Sequence, residues 1–181
     1  MTLDTSWTHW INAFAGRWEI LDWIMIALTQ GGVVLLVALI ALRWWSKNDR
    51  SAARYVAISC GLGTALGLLF NQAILLFVHR PRPYDLGLTH LLIGRSQDPS
   101  FPSDHATVVF AIAFSLLAKR DRYTGLFFLA ALLVSVSRVY VGTHYVTDVL
   151  GGATTAAVAT LLVALFYRER SRLNQRLVRI L

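Results

Sequence analysis

The 181-residue chain is 56% hydrophobic and 15% charged, with a mean hydropathy of +0.55, which excludes an ordinary soluble domain, whose surface would carry more charge. Its formal net charge of +7 is gathered in short hydrophilic segments between apolar blocks, a distribution expected of a membrane protein and not of a nucleic-acid binder. The single cysteine, Cys60, lies inside an apolar block, so an intrachain disulfide and a cysteine metal cluster are both excluded and it reads as a packing residue.

In chain order, the first 19 residues carry Asp4, Arg17 and Glu19 and lack the basic start and compact apolar core of a cleavable signal peptide. Residues 5–18 are expected to form an amphipathic helix lying on the outer membrane surface. Five apolar stretches follow, at about 20–45, 53–78, 104–118, 123–137 and 148–167. A helix needs about 20 residues to cross roughly 30 Å of hydrocarbon. The first, second and fifth stretches meet that alone, and the two shorter ones can extend through polar residues that line a protein-enclosed pocket. No stretch alternates with period two, so the expected class is all-α: a polytopic membrane helical bundle of about five transmembrane helices in one domain, residues 1–181.

Charge orients the bundle. Segments 43–54, 119–122 and the tail from 168 hold 12 of the 17 basic residues, among them Arg43, Lys47, Lys119, Arg120 and Arg168. The positive-inside rule puts these segments, with the 168–181 tail, in the cytoplasm, and the N-terminus outside. All six tryptophans precede residue 46; Trp18, Trp23, Trp44 and Trp45 sit at the ends of the first span, as an interfacial aromatic belt would. Gly61, Gly63 and Gly67 in the second span, and Gly151 and Gly152 in the fifth, are expected to let helices approach closely.

Three segments hold polar residues unusual at a membrane edge: His79-Arg80-Pro81-Arg82-Pro83, Pro102-Ser103-Asp104-His105, and Ser137-Arg138 through His144 to Asp148. Counting spans places all three on one side of the membrane. Arg82 and Arg138 arise from different connections and can grip a phosphoryl group from two sides, since guanidinium forks match phosphate oxygens. Ser103 and Asp104 read as the cap and first turn of the third span and Thr143 as the cap of the fifth, which would leave helix N-termini facing an anion. His144 and Asp148 are four apart, so a helix would put them on one face. The carboxylate would then take the Nδ1 proton and leave Nε2 as a nucleophile. His105 is available to protonate a leaving oxygen. The bland readings are headgroup contacts for the arginines, a capping charge for Asp104 and packing for each histidine. Convergence of all of them at one end argues for chemistry. A metal site is disfavoured by the arginines beside the histidines and carboxylates, and no cofactor is called for.

These segments resemble the type 2 phosphatidic acid phosphatase superfamily, whose motifs run Lys-x6-Arg-Pro, Pro-Ser-Gly-His and Ser-Arg-x5-His-x3-Asp. The third is complete here in Ser137, Arg138, His144 and Asp148; the second has Asp104 in place of glycine; the first keeps Arg82-Pro83 but has Leu75 at the lysine position. The resemblance spans roughly residues 71–152. It implies His144 as nucleophile, Asp148 as its partner, His105 as general acid, and Arg82, Arg138 and Ser103 as phosphate ligands, without a metal. Arg80 is the leading candidate to substitute for the missing lysine and His79 a weaker one, while Asp104 is expected to lie off the anion as a modulator that helps position His105. Asp104, with Ser100-Phe101 before it and Ala106-Thr107 after, is similar to the bacterial undecaprenyl-diphosphatase branch associated with bacitracin resistance. That implies a polyprenyl diphosphate substrate, hydrolysed on the periplasmic or extracellular face of the bacterial cytoplasmic membrane. The alternatives are a phosphatase of phosphatidylglycerophosphate, phosphatidic acid or lipid A and, remotely, a non-catalytic lipid-binding or transport protein. Loop 84–101 is expected to be a solvated connection.

Overall fold

The structure, a computed structural model, describes residues 2–45 and 50–168. Among them are six α-helices: α1 (Leu3–Asn12), α2 (Glu19–Leu42), α3 (Arg50–Leu75), α4 (Asp104–Ala118), α5 (Thr124–Tyr140) and α6 (Val146–Phe166). No strand occurs among the described residues. The five apolar stretches thus correspond to α2 through α6. By length and composition α2 (continued to Trp45), α3 and α6 are able to cross a membrane, and α4 and α5 are shorter apolar helices. Lys47 and Asp49, and the tail beyond Arg168, lie outside the described residues.

The central helix is α4, which packs against α3, α5 and α6 and more lightly against α2. Ala106, Val109, Ala111, Ala113 and Leu116 on it are fully enclosed. Its start is set by Ser103, whose hydroxyl accepts the Ala106 N–H at 3.5 Å, an N-cap that satisfies one of the donors a helix leaves open. At 15 residues, α4 is about 22 Å long, less than a full hydrocarbon thickness of roughly 30 Å.

Small residues set how closely α4 and its neighbours approach. A Cβ on Gly67 would stand 2.8 Å from Thr107 Cγ2, and one on Gly152 would stand 2.4 Å from the Ser103 carbonyl oxygen. Gly63 meets Thr160 and Ser115 in the same way, so three of the five expected glycines mediate helix contact. Gly151 faces the Phe101 ring instead, and Gly61 has open space beside it; neither brings two helices together. Gly32 on α2, which closes on Val134 of α5, belongs with the three.

At one end of the bundle the side chains are basic and aromatic. Arg43 pairs with Asp121 at 2.6 Å, Arg54 lies over Trp44, and Lys119 contacts the Tyr55 hydroxyl. At the other end the chain turns back through the long 76–103 connection, and there α1 departs from the surface helix expected at 5–18. It is shorter, and it docks on α5 and α6. Asn12 donates to the carbonyls of Tyr140 and His90 and accepts the His90 N–H. Outward-facing Trp7 and Trp10 keep an interfacial character.

Gly152→Ala is expected to lower the thermal midpoint of the detergent-solubilised protein. Its methyl group has backbone on one side and Ala106 on the other, and overpacking of this kind costs about 1–3 kcal/mol; unchanged melting would show that α4 and α6 have room to separate.

Candidate active site

The three polar segments converge at the end of the bundle away from Arg43 and Lys119. Gln72, Leu75, Arg82, Ser96, Asp98, Pro99, Pro102, Asp104, His105, Arg138 and His144 line a cavity of about 390 Å³ there. Two other hollows lie on apolar helix faces, one at Trp18–Ile24 and one between α3 and α6, and neither is lined by a histidine or an arginine.

His144 precedes α6 instead of lying on it. Residues 141–145 form a turn between α5 and α6, made possible by Gly142, whose φ of +85° suits a residue without a Cβ. A Cβ there would also stand 2.5 Å from the His90 carbonyl oxygen. The turn directs His144 inward, where it is 3% exposed. Its Nδ1 lies 2.8 Å from the Ser100 carbonyl oxygen and 3.5 Å from Asp148 Oδ2. Both neighbours are acceptors, so Nδ1 carries the proton. Asp148 does stand at Nδ1 as expected, but the backbone of Ser100 is the nearer partner, because the ring sits off the helix. The tautomer is the expected one, and Nε2 is left with a lone pair, 3.4 Å from Arg82 Nη1. Burial is the largest influence on His144 and, with Arg138 and Arg82 nearby, outweighs the opposing attraction of Asp148. The imidazole's pKa is therefore held below the ordinary 6.5.

Asp148 is completely buried. It accepts from Arg80 Nη1 at 2.7 Å, the Ser100 hydroxyl at 2.5 Å and the Tyr145 N–H at 2.8 Å. Arg80, the expected substitute for the lysine, is therefore not brought into the cavity lining. Its guanidinium is committed to Asp148, Thr147 and Asp4, lies over the Tyr145 ring, and is absent from the cavity lining. His79 is exposed and also absent from it.

The other two arginines are held differently. Arg82 donates to the carbonyls of Asp98 and Thr143, and Arg138 donates to Thr29 Oγ1 at 2.8 Å. The Arg138 Nε is buried without a hydrogen-bond partner. Both side chains are anchored by neutral acceptors and keep their charge for the cavity.

Of the expected caps, Ser103 fills its place, but its hydroxyl is enclosed and stands outside the cavity lining. Thr143 donates to the Arg138 carbonyl and caps nothing on α6. The first amides of α6 are also occupied: Val146 N–H bonds to Thr8 Oγ1 and Thr147 N–H to Asp4 Oδ1. The α6 N-terminus is therefore closed to an anion. Asp104 faces the cavity and accepts a bond from Asn71 Nδ2 at 2.6 Å, which ties it to α3.

Loop 84–101 is built into the site and is not a free solvated connection. Tyr84 OH donates to the Ser96 carbonyl, Leu92 N–H to the Val141 carbonyl, and Ser100 N–H to the Arg80 carbonyl. Sequence reasoning missed Ser100, Asn71, Thr29, Gln72 and Asp4. Only Ser100 carried a signal, its place two residues before Pro102. No group of three or more His, Cys, Asp or Glu side chains suited to a metal occurs among the described residues.

Residues 56–172 match the PAP2 superfamily. The chain is 35% identical over 158 residues to undecaprenyl-diphosphatase BcrC of Bacillus subtilis, covering 87% of this chain and 79% of that protein. The crystal structure of Aquifex aeolicus LpxE superposes with a TM-score of 0.76 at 24% identity, covering 92% of this chain and 97% of that one. That of the transmembrane PAP2-type phosphatidylglycerolphosphate phosphatase from Bacillus subtilis gives a TM-score of 0.67 at 26% identity, covering 95% and 90%.

Arg138→Gln is expected to weaken orthovanadate binding, measured by titration calorimetry in detergent, by about 10- to 100-fold, the loss of a charge-assisted hydrogen bond of roughly 1.5–3 kcal/mol. Equal affinity in both proteins would mean that the open Nε does not face the anion.

Proposed function

This chain belongs to the PAP2 superfamily of membrane phosphatases, and from that premise we propose that it is an undecaprenyl-diphosphate phosphatase working through a phosphohistidine on His144. The observation that carries the chemistry is the state of His144: Nδ1 is held by an acceptor, and Nε2 points into a cavity that also holds two charge-bearing arginines. The neutral ring is the nucleophile. With the terminal phosphoryl gripped by Arg82 and Arg138, Nε2 attacks phosphorus. The bond from phosphorus to the bridging oxygen breaks, and His105 delivers a proton to that oxygen. Water then attacks the phosphohistidine and passes its proton to His105, the bond from phosphorus to Nε2 breaks with its electron pair returning to neutral His144, and inorganic phosphate leaves. Undecaprenyl phosphate remains in the membrane.

The substrate assignment is supported by the BcrC likeness over most of both chains and by Asp104 at a cavity-lining position. The outward orientation is supported by the basic residues Arg43, Arg54 and Lys119 gathered at the opposite end. On this reading the cavity faces the side of the cytoplasmic membrane where the carrier diphosphate is released. A second reading, a phosphatidylglycerophosphate phosphatase, is favoured by the likeness to the Bacillus subtilis structure.

Phosphate release from undecaprenyl diphosphate, phosphatidylglycerophosphate and phosphatidic acid, measured on purified protein in detergent with EDTA, separates these readings. Fastest turnover of the polyprenyl diphosphate is expected, and preference for a glycerophospholipid would reassign the substrate. His144→Ala is expected to reduce turnover at least about a thousand-fold; a fully active His144→Ala protein would remove the nucleophile from the scheme. Because the nucleophile must be neutral and burial depresses the pKa of His144, the loss caused by its protonation comes only as pH falls through that lowered value. The acid limb of kcat/KM is therefore expected below pH 6.5. An acid limb above that value would contradict the assignment.

A further inference from the structure

The matched family region begins at residue 56, yet α1, well before it, touches the support of the nucleophile. Asp4 Oδ2 accepts from Arg80 Nη2 at 2.5 Å and from the Thr147 hydroxyl at 2.7 Å, and Asp4 Oδ1 accepts the Thr147 N–H at 3.0 Å. Through its other terminal nitrogen, Arg80 reaches Asp148 Oδ1 and the same Thr147 hydroxyl, each at 2.7 Å. The guanidinium thus bridges two carboxylates with its Cζ 3.7 Å from the centre of the Tyr145 ring, and Tyr145 adjoins His144 in the chain.

We propose that Asp4 is a positioning residue for phosphoryl transfer: it fixes Arg80, which fixes Asp148 and through it the turn that carries His144. The inference rests on His144 being the nucleophile. A buried carboxylate with no exposure needs a cation held in good geometry, and arginine without a second anchor has several rotamers from which to leave it. Asp4 supplies that anchor and closes a ring of hydrogen bonds with Arg80 and Thr147. Burial alone would raise the Asp4 pKa, but the bonds from Arg80 and Thr147 outweigh it and hold the carboxyl below 3.8, so the anchor is charged at neutral pH. Thr8, one turn further along α1, caps Val146. The helix thereby satisfies from outside the Val146 and Thr147 amides at the start of α6, beside the Tyr145 amide that Asp148 itself takes. Its role extends beyond interfacial anchoring into the alignment of the reacting nitrogen, where a displacement of about 1 Å costs on the order of a hundred-fold in rate.

The test compares Asp4→Asn with Trp10→Ala, which alters the exposed face of α1 and leaves the network whole. kcat and KM are measured on whichever lipid phosphate the wild-type protein hydrolyses fastest, so a wrong substrate assignment shows in the wild type and leaves this comparison intact. Asp4→Asn is expected to lower kcat about ten-fold with KM within two-fold of wild type, and Trp10→Ala to keep kcat. Combining Asp4→Asn with Arg80→Lys is expected to cost no more than the worse single change, because both act along one path. Wild-type kcat in Asp4→Asn, a loss confined to KM, or additive effects in the double variant would overturn the proposal. Thr147→Val removes the hydroxyl linking Asp4 to Arg80 while sparing both charges. It gives an independent reading if Asp4→Asn does not fold: a kcat loss of about three-fold is expected, and an unchanged kcat would refute the path.

Discussion

A carboxylate with no access to water organises this end of the bundle. Asp148 sits where α6 begins, and burying it unpaired would cost several kcal/mol. Its partners come from separate parts of the chain: Arg80 after α3, the Ser100 hydroxyl before α4, and the Tyr145 amide beside it. Its own carbonyl takes the Ser103 N–H. Satisfying one charge therefore draws the connection after α3, the start of α4 and the start of α6 together. Ser100, held there by its hydroxyl, presents its carbonyl to His144. The orientation of His144 is a by-product of solving a desolvation problem.

The same reasoning separates the three arginines. Arg80 is bonded to two carboxylates and adds little net positive charge to the cavity. Arg82 and Arg138 are held by carbonyls and a threonine hydroxyl, which fix a guanidinium without neutralising it. An anion-binding arginine needs this kind of anchoring, rigid but uncompensated, since a carboxylate partner would compete with the phosphate. Guanidinium groups from neighbouring segments thus acquire different roles through the chemistry of their acceptors alone.

That division also marks where sequence reasoning stops. Helix parity alone brings His105, Arg82, Arg138, His144 and Asp148 to one end, because a span must return before the next begins, and the structure places them so. Arg80 looks from its spacing like a spare phosphate ligand. Its commitment depends on Asp4, 76 residues away, and no periodicity links the two. The Ser100 carbonyl is invisible for another reason: every residue has one, so a backbone acceptor carries no residue-type signature. The four-residue interval between His144 and Asp148 suggests a shared helix face, but the helix starts two residues too late for that. Loop 84–101 looks solvated by composition, and its order comes from bonds to distant partners such as Val141 and Arg80.

The two departures from the family motifs meet on one wall of the cavity. Asn71 and Leu75 are one helical turn apart on α3, and Asn71 Nδ2 ties down Asp104. Position 75 therefore lies one turn from the residue that holds this carboxylate, and both Leu75 and Asp104 line the cavity. With leucine there, a neutral amide holds Asp104, and this wall is apolar and negative while Arg82 and Arg138 keep the positive charge. A uniformly basic pocket would bind a phosphoryl group in many positions. In an unequal one the positive charge is concentrated beside Arg82, whose Nη1 lies 3.4 Å from His144 Nε2. A carboxylate in the lining is then compatible with anion binding, because the cavity's uncompensated positive charge lies on Arg82 and Arg138 beside His144 and not on α3.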